Sequence, residues 1–352
     1  MIKLFTPSFA DEGDTNAQNL SVKEIVARLD PDRIAVTMFH ESASIDPRIA
    51  TRRNTILLPW RSHGNTWRTA LHILHKTPDV YFFPREGPLD TVFLTLRRLL
   101  HLKTTIVTYI VSGGLYNGEY PPARVKNIRE ADVVVANNDY LGQLLAEKYN
   151  VQAETIYDGV DRRHYFPPAS DRAAQEPVTV LFAGSLRPYK RVTIVVRQAA
   201  RWPQVRFRVA GVGEEQALCK NLAAELKCVN VNFLGHLSPA QLGEEMRRAD
   251  VFFLPSVLEG HPQVLLQAAA CGLPAIAMEL YRPDGIVDGL TGFLAHNDSE
   301  LSEKLALMLS QADLRLAMGK AAVNHAQRFD WDSIAHQWQT VFEQAVLARG
   351  KA

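Results

Sequence analysis

The 352-residue chain is poor in the features that most often declare a chemistry. Cysteine is scarce: Cys219, Cys228 and Cys271 form an odd set without metal-ligand spacing, which excludes a disulfide framework or zinc ribbon and reads as reduced thiols. No apolar run approaches the roughly 18 residues of a spanning helix. The opening, MIKLFTPSFADEGD, lacks the long apolar region of a signal peptide. The expectation is a cytoplasmic protein, at most peripheral at the inner face of the cell membrane. Formal net charge is only +1, so no global attraction to a polyanion exists and nucleic acid is not an expected partner. There is no Walker lysine pattern and no His/Cys metal cluster, so no metal ligands are assigned. Gly211-Val212-Gly213 follows a strand, but Gln216 stands where a dinucleotide fingerprint needs its third glycine.

What is present is alternation. In the first half, strands at 2–6, 33–39, 55–58, 80–83, 105–111, 132–136 and 154–157 are interleaved with segments of helical periodicity around 20–29, 67–74, 90–100 and 140–149. Strands alternating with helices imply a parallel, doubly wound sheet with ligand loops at the carboxyl ends of its strands. That nominates loops 8–15, 84–88 and 112–120, with Glu86, Ser112, Gly113 and Glu119 as polar candidates. From Arg52 to Lys103, nine lysines and arginines face three acids, with Trp60, Trp67 and leucines between them. Two readings stay open there: a face for anionic lipid or a phosphorylated acceptor, or a solvated helical surface. Residues 167–177, PPASDRAAQEP, have no periodicity and read as a domain linker.

After the linker the alternation restarts and predicts a second doubly wound domain. Its strand-to-helix loops carry Gly184, Ser185, Gly211, Gly213 and Gly235. The sharpest stretch is 251–274, VFFLPSVLEGHPQVLLQAAACGLP. A buried strand breaks at Pro255, Glu259 stands in the loop, and a helix opens at Pro262 and stops at Gly272. Strand, polar loop and helix start converge backbone N–H groups and the positive end of a helix dipole on one anion site. Two domains facing across a deep cleft are the expected architecture.

The segments VLFAGSLRPYKR, VRFRVAGVGEE, VNFLGHLSPAQL, ADVFFLPSVLEGHPQVLLQAAACGLPAIA, PDGIVDGLTGFL and RFDWDSIAHQW, in this order, resemble family 4 of the glycosyltransferases, retaining enzymes of the GT-B fold. ADVVVANNDYLGQLL and IYDGVDRRHYFPP in the first half resemble it too; the first hundred residues resemble it in topology only. The resemblance implies an acceptor-binding domain over 1–168, a nucleotide-sugar domain over 178–330, and a final helix, 332–347, that packs back on the first domain with hinges near 167–177 and 329–331. It implies a nucleoside-diphosphate-sugar donor such as a UDP- or GDP-sugar, a saccharide or lipid-linked acceptor in polysaccharide or glycoconjugate biosynthesis, and no resident cofactor. Lys190 matches the lysine that contacts the donor diphosphate. Ser185 replaces the usual arginine, and Arg187, two residues on, can supply the missing charge unless it is an ordinary surface cation. Glu259 matches the first glutamate of an E-x7-E motif; Gln267 replaces the second, which holds the ribose hydroxyls. An amide still pairs with a hydroxyl, without charge assistance. His261, Pro262 and Gln263 form the helix start beside the donor. Loop 279–284, with Arg282, falls where the family has a glycine-rich phosphate loop. No histidine stands in the loop after TTIVTYIV, where many members carry one. Stabilisation of the leaving diphosphate by protein cations implies a metal-independent transfer. The competing reading keeps the fold in a weak or inactive sugar-nucleotide-binding subunit.

Overall fold

The computed structural model describes residues 1–12, 17–60, 66–82, 88–111, 120–169 and 177–350. The chain divides into two compact units, Met1–Asp158 with Trp331–Ala352, and Gly159–Asp330.

The first unit is built on β1 (Ile2–Phe9), β2 (Ile34–His40), β3 (Thr55–Pro59), β4 (Val80–Phe82), β5 (Thr105–Ile110), β6 (Val133–Ala136) and β7 (Glu154–Thr155). They pair in the order β3-β2-β1-β4-β5-β6-β7, parallel throughout. β4 and β5 are buried along their whole length. That explains their unbroken apolar reading: helices cover both faces. On one face, helix Ala17–Arg28 lies against the final helix, Trp331–Gly350. Trp338 is completely buried there, its ring 4.9 Å from Phe82 and 4.8 Å from Tyr109. Arg28 pairs with Asp332 at 2.7 Å and Arg33 with Glu343 at 2.8 Å across the same seam. On the other face, helices Thr66–His75 and Pro88–Leu99 bury Ile73, Phe93 and Leu94 against Phe5, Tyr81 and Ile106.

The second unit holds β8 (Thr179–Ala183), β9 (Arg206–Ala210), β10 (Val231–Gly235), β11 (Val251–Leu254), β12 (Ala275–Met278) and β13 (Gly292–Ala295), ordered β10-β9-β8-β11-β12-β13. These pairs are parallel as well. The order reverses between β8 and β11, so their carboxyl ends flank the crevice where such sheets take ligands.

The structure departs from the sequence reading in identifiable places. The division falls after Asp158, not within 167–177. The intervening segment is packed into the second unit: the Val160 N–H donates to the Phe329 carbonyl at 2.8 Å. Tyr165 is buried, and the Arg247 guanidinium donates to the His164 carbonyl at 3.0 Å and lies over the Phe166 ring. Composition marks polar surface chain but not which body it adheres to. Helix Pro122–Arg129 lies in a stretch to which the sequence assigns no element; a proline in its first turn opens it, and little apolar periodicity announces it. The short helix Pro47–Ala50, capped by Asp46, was also missed.

Because Trp338 fills the seam beneath the final helix, Trp338→Ala should destabilise the first unit by about 3–5 kcal/mol. Urea unfolding should show an earlier first-unit transition with the second unit's unchanged.

Candidate active site

The site begins where β8 runs out. At Gly184 the backbone leaves the sheet with φ +156°, and Leu186 tucks back into the core. A single 3₁₀ turn, Pro188–Lys190, follows. Arg191 takes a left-handed conformation, φ +54°, and starts helix Val192–Arg201. That turn aims Lys190 sideways across the sheet. β11, the neighbouring strand, ends at Leu254 and delivers Glu259. The Lys190 ammonium and the Glu259 carboxylate meet at 2.5 Å, with side chains only 12% and 9% exposed. The Val257 N–H donates to the Tyr189 carbonyl at 2.9 Å and fastens the two loops together. Two charges this sheltered are costly unless paired.

Three further loops close round the same end. The Gly184 N–H donates to Ala210 at 3.0 Å, Gly211 to Gly235 at 2.7 Å and Leu186 to Val212 at 3.0 Å. A Cβ at Gly211 would stand 1.9 Å from the Gly184 carbonyl oxygen, and one at Gly213 2.4 Å from that of Leu186. These two glycines therefore serve backbone-to-backbone packing. A Cβ at Gly235 would meet nothing within 4 Å, so that side is open.

Helix Gln263–Ala270 starts beside Glu259 with Pro262 at its cap, a residue that makes no side-chain capping bond. Its first-turn N–H groups and dipole favour an anion there. The His261 ring is buried, its side chain 1% exposed and Nε2 3.7 Å from an Asp284 carboxylate oxygen. Asp284 also gives its carbonyl to His325 at 2.6 Å. The His261 ring thus packs against loop 279–285 from inside, so its backbone is the part nearer the crevice. The Gln267 carbonyl oxygen is buried and has no partner among the described residues, and so is the hydroxyl of Ser256, a completely buried residue just past β11. Sequence reasoning passed over Ser256, and also Tyr281, a fully buried phenol whose pKa is pushed up by burial first and then by the charge of nearby Glu259. No spacing signals either residue. Arg187 is exposed and makes no ion pair with a described residue. Arg191 is held by Asp298. Ser185 is half-buried at the mouth of the first loop. Arg282 adopts φ +43° where the resembled family has a glycine-rich loop, a conformation that costs a branched-out side chain about 1 kcal/mol.

In the first unit Glu86, Ser112, Gly113 and Glu119 lie outside the described residues. Loop 8–15 is described in part, and its Asp11 is structural: the carboxylate accepts the Ser42 N–H at 2.6 Å and the Glu41 N–H at 3.0 Å. Burial alone would raise its pKa, but those bonds outweigh burial and hold it below its ordinary 3.8. At the ends of β5 and β6, Asp158 is buried and accepts Ser21 Oγ at 2.6 Å, Tyr109 Oη at 2.9 Å and Asn137 Nδ2 at 3.2 Å. The sequence reading assigned Asp158 no role. Two Asp-x-Asp spacings, Asp30–Asp32 and Asp330–Asp332, were likewise passed over; Asp32 pairs with Arg53 and Asp332 with Arg28. Among the described residues no group of three or more His, Cys, Asp or Glu could hold a metal ion.

Residues 168–325 match the family model "Glycosyl transferases group 1". D-inositol 3-phosphate glycosyltransferase of Corynebacterium aurimucosum is 30% identical over 245 residues, 62% of this chain and 58% of that protein. Its counterpart in Mycobacterium leprae is 30% identical over 275 residues, 70% and 64%. The chain thus spans about three-fifths of the length of these relatives. Among solved structures, sucrose-phosphate synthase from Thermosynechococcus elongatus superposes with TM-score 0.81 at 18% identity, over 99% of this chain and 100% of that one. The Anabaena protein HepE in complex with UDP and glucose gives 0.75 at 18% identity, over 98% and 100%. At such identity the likeness is one of fold, two parallel-sheet α/β units of the GT-B type.

Glu259→Gln should lower second-unit stability by about 3 kcal/mol in urea unfolding, because Lys190 is left sheltered without its counter-charge; the Lys190→Met/Glu259→Leu double variant should recover much of that loss. A carboxyl whose pKa folding depresses stabilises the native state above its unfolded value, and that contribution is lost as pH falls through the folded value. Asp11→Asn should therefore cost about 1–2 kcal/mol at neutral pH, and its gap to wild type should close as pH falls below 3.8. Urea midpoints measured across that range check this.

Proposed function

We propose that this chain, whose residues 168–325 belong to the glycosyl transferases group 1 family, transfers a sugar from a nucleoside-diphosphate sugar to an acceptor hydroxyl with retention of configuration. The observation that carries the reading is the contact of Lys190 with Glu259 at the β8/β11 switch point. In the transfer the bond from the anomeric carbon to the diphosphate oxygen breaks, a bond to the acceptor oxygen forms, and the acceptor gives up its proton. Negative charge grows on the diphosphate. Lys190 and the helix start at 262–263 are fixed positive groups for it, with the exposed Arg187 as a mobile third cation, and fixed groups stabilise such charge without reorganising. Glu259 orients the donor sugar through its hydroxyls and holds Lys190 in place between turnovers. Gln267 meets the ribose with an amide, and its partnerless carbonyl oxygen is a fit for a hydroxyl donor once the amide turns.

UDP-sugars are the first donors to test, because the Anabaena neighbour was solved with UDP and glucose. Saccharides, lipid-linked sugars and, following the curated relatives, inositol phosphates are the acceptors. Metal independence and a cytoplasmic site of action belong to the same proposal. A second reading, a nucleotide-sugar-binding subunit with weak or no transfer, is favoured by the loss of charge at Gln267 and Ser185.

Calorimetric titration with UDP, GDP and uridine, followed by a donor-turnover assay with and without EDTA, tests both. Lys190→Ala should weaken UDP at least about tenfold while leaving uridine nearly unchanged, since only the diphosphate faces the ammonium. Equal losses for the two ligands remove Lys190 from the phosphate site. Binding without turnover on any donor selects the second reading, and no nucleotide binding defeats both.

A further inference from the structure

The first unit has a second specialised end, opposite its ligand loops. Most exposed large apolar side chains among its described residues lie toward the amino ends of its strands, Met1, Ile56, Leu99, Leu100 and Leu347, with Leu71 midway along helix Thr66–His75. Topology puts them there. In a parallel α/β sheet each helix runs back to the strand starts, so helix Thr66–His75 ends beside β4 and helix Pro88–Leu99 ends beside β5. The final helix reaches the same rim, where Arg349 donates to the Leu102 carbonyl at 3.2 Å. Leu99 is 70% exposed, Leu71 60% and Leu100 58%, on neighbouring helices. Between the end of helix Thr66–His75 and the first strands a groove of about 400 Å³ opens, with Ile56, Ile73 and Pro78 in its walls and Lys3 and Lys76 among its lining.

The charges of this rim are unequal in a particular way. Several of its acids are paired with cations, Asp132 with Arg97 and Arg349, Glu130 with Arg98 and Asp32 with Arg53, while Asp79 accepts the Lys3 backbone N–H at 2.7 Å. Lys3, Lys76 and Lys103 are exposed and form no ion pair with a described residue. Leftover lysines ringing protruding leucines and an apolar groove match one chemistry: acyl chains beneath an anionic head-group layer. No described helix is long and apolar enough to cross a membrane, so the contact would be with a surface. We propose that the amino-end rim of the first sheet docks on a bilayer containing anionic lipid, leucines entering the acyl boundary and lysines meeting the phosphates.

Co-sedimentation of the full chain with vesicles tests this without any nucleotide, so it stands or falls separately from the proposed transfer. Binding to phosphatidylcholine vesicles containing about a third phosphatidylglycerol should exceed binding to pure phosphatidylcholine at least about tenfold, and should fall as salt rises. The double variant Leu99→Asp/Leu100→Asp should lose about tenfold or more in partition. Lys76→Glu/Lys103→Glu, at exposed positions where the fold is not at stake, should lose a similar factor, with urea midpoints matching wild type. Equal binding to both vesicle types, or unchanged binding in both variants, overturns the proposal. So does a concentration-dependent dimer in sedimentation equilibrium that Leu99→Asp abolishes, which would assign the rim to a second copy of the chain.

Discussion

A lysine and a glutamate that must face each other govern the second unit. Lys190 and Glu259 come from loops after different strands and shelter each other from solvent. Burying either alone would be expensive, and the adjacency of β8 and β11 lets each supply the other's counter-charge. The strand order supplies that adjacency, and the reversal of winding between those strands leaves the crevice above them uncovered by a crossover. The charge pair and the opening for a ligand are thus two consequences of one topological fact.

Around the pair the loops divide into a rigid side and an accessible one. On the β8–β9–β10 side, backbone packs on backbone through Gly211 and Gly213 with a relay of N–H to carbonyl bonds, leaving no slack. On the β11–β12 side, polar atoms remain to be satisfied: the Ser256 hydroxyl, the Gln267 carbonyl and a helix start without a side-chain cap. A site that must hold a polar, flexible ligand benefits from this division, since the rigid side sets distances and the other side supplies hydrogen bonds. In the first unit polarity is distributed differently again. Among its described residues, Asp11 and Asp158 at the carboxyl ends are satisfied internally, while much of the exposed apolar surface lies at the amino rim.

Much of this was legible before any coordinates. Buried strands read as apolar runs, and Pro262 and Gly272 bracket a helix by stereochemistry alone. Glu259 stands out as a carboxylate in the loop between a buried strand and a helix start, whereas Lys190 stands out only through the family resemblance. Other features were silent. His261 looked like a helix-start ligand group, yet its ring turned inward to Asp284; side-chain direction depends on what is packed beneath, which no local pattern encodes. Asp158 read as one polar residue in a loop, and only the convergence of Ser21, Tyr109 and Asn137 makes it a hub. Helix Pro122–Arg129 lacks an amphipathic stripe, so periodicity had nothing to detect.

By itself the sequence determined what rests on neighbours along the chain: the alternation of strand and helix, the parallel-sheet class, the loops that end strands, and the charged residues placed on them. The tertiary structure alone decided what rests on neighbours in space. It chose β8 and β11 as the strands that flank the crevice, closed Lys190 onto Glu259, turned His261 inward and attached residues 159–169 to the second unit. The reason is physical: backbone preference acts over a few residues, whereas desolvation and charge pairing act wherever packing brings groups together.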